Sequence, residues 1–359
     1  GNNLEENLQF LLFLTAFIKA MDEYAPLIRA GAATAGNDHR LGSSEAPPAI
    51  ISIYLGEQLS SILDAITQEG FCAKSKSQYV KMGITALPQL PKDLTDRNRT
   101  SPIAFTGNKF EYRMVGSSQS MAGPNIYING AVAQVLEEAA DRLEAASDVE
   151  LECHNIIRDF YQGHKRIIFN GNGYSLEWKA EAKRRGLPEF PDTVSALPQM
   201  INEQSIALFE GQQILSRPEV ESRMEIYLQT YSKQINIEAS VMVEMCRKQI
   251  IPAVSRYLGV LSNSIISQEA IGLVTSEQKK QASSLQESLE EAICQTELLH
   301  IAIAQALAQG DDALAQAELY RDEVATRMQA LRGHIDLMET YTDRSFWPLP
   351  SYDDLLFRL

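Results

Sequence analysis

The chain is 359 residues long, 45% apolar and 22% charged, with a net charge of −15 at pH 7. That is enough for one large domain or two ordinary ones, and too apolar for a disordered polymer. The acidic balance excludes sequence-independent attraction to nucleic acid or an anionic membrane, so any phosphate ligand needs a local cluster of Arg and Lys.

Leu8 to Ile18 is strongly apolar, yet too short to span a bilayer and without a basic leader. It reads as a buried helix running on to Tyr24, part of one helix near residues 4–30. The opening Gly, in place of Met, points to a missing upstream part. A polar loop follows from Gly36 to Pro48, then an apolar segment, Ile50 to Leu55, continuing as a helix towards Ile66. Residues 84–102 are rich in Pro, Asp and Arg and read as irregular. Pro102 to Thr106 and Lys109 to Met114, separated by Gly107-Asn108, read as a β-hairpin. A helix opens at Ala122-Gly123-Pro124-Asn125 and runs through Leu143, and Asn170-Gly171-Asn172-Gly173 marks a loop before a shorter helix.

Beyond residue 200 the pattern changes to long helices. Pro218 opens one, and Pro252 kinks or divides the run from Val220 to Leu261. Leu285, Leu289, Ala292, Leu299 and Ile303 share a face, Gly310-Asp311 stops that helix, and Leu314 to Met338 stripe a returning partner, giving an αα-hairpin over about 278–342. The domain division expected is 1–200 and 201–359. Cys72, Cys153, Cys246 and Cys294 are far apart with no CxxC pairing, which predicts buried thiols in a reducing cytoplasm.

Chemistry concentrates in two places. In the hairpin, Lys109, Glu111 and Arg113 alternate with Phe110, Tyr112 and Met114, so three charged groups line one face. A carboxylate between two cations suits a divalent metal beside phosphate oxygens; cross-strand ion pairing on a wet face is the alternative. In the polar loop, Glu45 precedes Pro47-Pro48, either as a closing flap and base or as a surface carboxylate. Arg40 is suited either to a carboxylate substrate or to a salt bridge. Arg99, in the irregular segment just before the hairpin, lies within reach of the face that carries Glu111. No HxxxH, HExxH, Walker-type or GxGxxG pattern occurs.

Taken together, Asn37-Asp38-His39-Arg40-Leu41-Gly42-Ser43-Ser44-Glu45-Ala46-Pro47-Pro48, Asn98-Arg99, Phe110-Glu111-Tyr112-Arg113 and Gly123-Pro124-Asn125 resemble glutamine synthetase in order and spacing. Asn170 to Ser175 and the tail Trp347 to Phe357 are similar to type III glutamine synthetases, the long bacterial form. The resemblance implies an α+β fold, the C-terminal half of a catalytic domain with a curved antiparallel sheet, followed by a large helical region. It implies an ATP-dependent glutamate–ammonia ligase working through γ-glutamyl phosphate, with Mg²⁺ or Mn²⁺, in a cytoplasmic homo-oligomer. By the same resemblance Arg40 binds a carboxylate of glutamate and Arg113 lies near its reacting end. Glu45 shuts the loop and takes a proton from ammonium, Arg99 and Lys109 steady the ATP phosphates, and Glu111 ligates a metal. Ala104 stands where many relatives carry a further phosphate-binding Arg. The family's remaining metal ligands and small N-terminal β domain are expected upstream of residue 1, so the chain alone is expected to be inactive. The alternative is an assembly or regulatory module that keeps the fold without the chemistry.

Overall fold

The computed structural model describes residues 8–43, 46–69, 79–80, 90–91 and 101–356. It divides into two compact units, 1–227 and 228–359. No helix among the described residues is long and apolar enough to cross a membrane.

In the first unit, α1 (Leu8–Glu23) buries Leu11, Leu14, Ile18 and Met21, and α2 (Ala25–Gly31) follows after a break at Tyr24. The continuous helix expected there is interrupted because Pro26, near the start of α2, lacks the N–H that would carry the ladder through. A four-residue turn of helix, α3 (Ala35–Asp38), leads into the polar loop. Next come β1 (Ile53–Tyr54), α4 (Glu57–Glu69), and the short paired strands β2 (Tyr79–Val80) and β3 (Leu90–Pro91).

The expected hairpin is β4 (Ile103–Phe105) and β5 (Phe110–Tyr112). Among the described residues the sheet in which it sits has three strands and is mixed, where a curved antiparallel sheet was expected. Its order is β1-β4-β5, with β1 parallel to β4 and β4 antiparallel to β5. Residue Ile168 adds a parallel bridge to Ile53, and the Phe169 amide donates to the Ile53 carbonyl at 2.9 Å.

The helices that follow are α5 (Ala122–Glu144), α6 (Val149–His164), α7 (Leu176–Arg184), α8 (Thr193–Ala196) and α9 (Glu203–Gly211). Of these, α5 and α6 pack on α1, whose Phe10 and Phe17 meet Phe105 and Phe110 of the sheet. Asn170 fastens the Asn-Gly loop to the start of α4: its Oδ1 accepts from the amides of Leu55 and Gly56, each at 3.0 Å, and its Nδ2 donates to Ser60. Ser175 caps α7 by accepting from the Trp178 amide.

A long helix, α10 (Arg217–Met245), is followed by a π-turn at Cys246–Ile250 and by α11 (Ile251–Ala270). The irregularity expected at Pro252 takes the form of that π-turn, which lies just before the proline and carries the helix past its missing N–H. In the second unit α12 (Ser276–Leu307) runs to Gly310, whose φ of 79° ends it, and α13 (Ala313–Leu319) and α14 (Thr326–Tyr341) return along it. Leu285, Leu289, Leu299, Val324, Leu331 and Met338 are buried as the stripe predicts. A final helix, α15, spans Tyr352–Leu356. Among the described thiols, Cys153 and Cys246 are buried but Cys294 is exposed on α12, against expectation, and Cys72 lies outside the described residues.

Candidate active site

The turn of the hairpin is made by Gly107 at φ 98°, a conformation that a side chain would oppose. The pleat then sorts β5 as its alternation requires. Phe110 stacks on Phe17 of α1 with ring centres 3.9 Å apart, the Tyr112 hydroxyl donates to the Ile28 carbonyl at 2.9 Å, and Met114 is fully buried. On the other side Glu111 lies between Arg113, at 3.2 Å, and Lys109, at 3.3 Å. Hydrogen bonds from Arg113 and then Lys109 hold the Glu111 carboxyl below the usual range. Ala104 is buried and pairs with Glu111 across the ladder.

Arg40 reaches the end of this strand from the turn after α3. Its Nη1 donates to the Met114 carbonyl at 3.1 Å and to Asn37 Oδ1 at 3.2 Å, and its Nη2 to the Arg113 carbonyl at 3.4 Å. Arg40 thus meets the backbone at the end of the strand that presents Lys109, Glu111 and Arg113. Glu45 and Arg99 lie outside the described residues.

Three residues with no role in the sequence reading support this cluster. Asn37 is buried, and its Nδ2 donates to the carbonyls of Ala32 and Met114 at 2.7 and 2.8 Å, tying the loop to the hairpin. Asp38 accepts from the amide and hydroxyl of Thr193 at 3.0 and 2.8 Å. Arg29 is 1% exposed, donates from Nε to the Phe190 carbonyl, and brings Nη2 to 3.9 Å from Asp38. Desolvation dominates at both charges, lowering Arg29 and pushing Asp38 up to about 6 against the opposing pull of Thr193 and Arg29. The signal available beforehand was the placement of Asn37 and Asp38 beside Arg40 in the quoted loop; nothing local marks Arg29 or Thr193.

A cation site needs several hard or borderline ligands converging on one point. Among the described residues no group of three or more His, Cys, Asp or Glu converges in this way, and Glu111 is a lone carboxylate between two cations. The described residues do not by themselves build a complete metal site. What they do provide is a cationic rim with one fixed carboxylate, an arrangement suited to anionic substrates.

Residues 152–269 match the family described as the glutamine synthetase C-terminal domain. Over 99% of its length the chain is 38% identical to type-3 glutamine synthetase of Dictyostelium discoideum, covering 50% of that protein. It is 37% identical to a glutamine synthetase of Butyrivibrio fibrisolvens, over 100% of this chain and 51% of the relative. A glutamine synthetase of Bacteroides fragilis (strain YCH46) is 35% identical over 99% of the chain, which covers 51% of that relative. The chain spans about half the length of the curated relatives it matches. From end to end this chain is thus similar to glutamine synthetases, and its residues 152–269 match the C-terminal domain of that family.

Proposed function

We propose that the chain supplies part of an ATP-dependent ligase that joins ammonia to glutamate, and that by itself it forms no glutamine. The observation that carries this reading is the convergence of Arg40 on the end of the strand that presents Lys109, Glu111 and Arg113.

In this reading Arg40 holds a carboxylate of glutamate, its guanidinium pre-set by the two carbonyls and Asn37. Arg113 lies near the reacting carboxylate. An oxygen of that carboxylate attacks the γ-phosphorus of ATP, ADP leaves, and Lys109 and Arg99 bind the phosphate oxygens throughout. The nitrogen of ammonia then attacks the acyl carbon of γ-glutamyl phosphate and inorganic phosphate departs. Glu45 takes the proton released from ammonium and closes the loop against water. Glu111 serves as one ligand of Mg²⁺ or Mn²⁺, an ion that would neutralise charge on the transferring phosphoryl group. The other ligands of that ion are assigned to the part of the enzyme that corresponds to the remaining half of the relatives, within a homo-oligomer.

Calorimetry of the chain with ADP and Mn²⁺ tests the placement. We expect saturable heat that is abolished by Glu111→Gln and weakened several-fold by Lys109→Ala. Wild-type isotherms from both variants, or no binding by the unaltered chain, would remove the phosphate site from this strand.

A further inference from the structure

Arg40 projects from a segment that cannot hold its own shape. α3 is a single turn of four residues, below the length at which helix propagation repays nucleation. Its conformation must be imposed from outside, and two neighbouring side chains impose it from opposite directions. Asn37 faces the hairpin, bonding the Met114 carbonyl and offering Oδ1 to Arg40. Asp38 faces away, both of its oxygens engaged by Thr193 at the first residue of α8, whose own N-cap Asp192 forms a reciprocal pair with Ser195.

We propose that Asp38 is a positioning residue for Arg40: by gripping Thr193 it fixes the turn from which Arg40 reaches the hairpin, and Asn37 passes that constraint on. The functional meaning of this clamp rests on Arg40 being the glutamate-binding arginine. Thr193 lies within the residues 152–269 that match the C-terminal domain, so the clamp makes that domain the reference against which the substrate arginine is set.

Two features separate this from ordinary packing. The anchor is charged and 16% exposed at its side chain, beside the nearly inaccessible Arg29. Burial disfavours the ionised carboxyl there, and shape filling alone would call for no charge. Both oxygens of Asp38 are also spent on one residue 155 positions away, which fixes position as well as orientation.

The test is side-chain NMR of the arginine-labelled chain, reading how fast the Arg40 guanidinium rotates about Cζ–Nε. With Nη1 and Nη2 on different carbonyls that rotation is slow. Asp38→Ala is expected to speed it about tenfold, as expected for loss of a charge-assisted anchor, and Thr193→Val, which deletes only the hydroxyl bond, to give an intermediate rate. Proton exchange at Arg166 Nε, which is bonded to both oxygens of Asp22 at 3.0 Å, is the control and should not change. An unaltered Arg40 rate in folded Asp38→Ala overturns the proposal, as does faster proton exchange at Arg166 Nε in the same variant, which marks general loosening. Should Asp38→Ala not fold, a wild-type rate in Thr193→Val overturns it alone. Glutamate titrated into the unaltered chain reports separately: no shift at Arg40 removes the glutamate reading and leaves the clamp measured.

Discussion

At Asp38, burial and charge are opposed, and pH exposes the contest. In the unfolded chain this carboxyl loses its proton near the ordinary value of 3.8, whereas the folded chain keeps it to about 6. Between those values the folded state binds the proton more tightly. The group therefore favours folding at low pH, and the contribution disappears as pH rises through about 6. Its size is on the order of 2–3 kcal/mol for a shift of about two units. Denaturant midpoints of wild type and Asp38→Asn should diverge, with wild type losing ground to the variant from pH 4 to 7. Parallel curves would show that the carboxyl is better solvated than its surroundings imply. The exposed pairs of Glu111 contribute little to stability by comparison, because solvent screens them.

Among the elements, the hairpin was the most legible in the sequence, since a period of two with charge on one side and bulk on the other has few other readings. Gly107 also announced its turn. The parallel pairing of β1 with β4 was not legible: the partners are some fifty residues apart, and periodicity carries no information on which strands meet. The break before α2 was present as Pro26 but was overridden by the apolar run on either side. Asn37 and Asp38 were visible as part of a motif, yet their partners Met114 and Thr193 arise only from tertiary contact. Glycines allow the element-level account to be tested. Gly31, in α2, would place a Cβ 3.0 Å from the Tyr127 ring and 3.3 Å from the Pro124 backbone. Gly31→Ala should cost about 1–3 kcal/mol through overpacking. Gly107 has no neighbour within 4 Å, so Gly107→Ala should cost about 1–2 kcal/mol through backbone strain alone. Thermal midpoints that do not fall in either variant would contradict the corresponding contact or turn.

For the whole molecule, the relatives are about twice as long as this chain, and the lone carboxylate at the hairpin is what a shared site would look like from one side. Incubation of the purified chain with ATP, glutamate, ammonia and Mg²⁺ should release no phosphate coupled to glutamine. Turnover in the ordinary enzymatic range of about 1–1,000 per second would show the chain to be sufficient by itself. The salt-bridged triplet on β5 carries a last implication. Lys109 and Arg113 both pair with Glu111, so in the proposed ligase an arriving polyanion would compete for the two cations and, in drawing them off, would free two carboxylate oxygens for a metal. Nucleotide and ion would each create the vacancy that the other fills, a reciprocal synergy in which neither is held well alone.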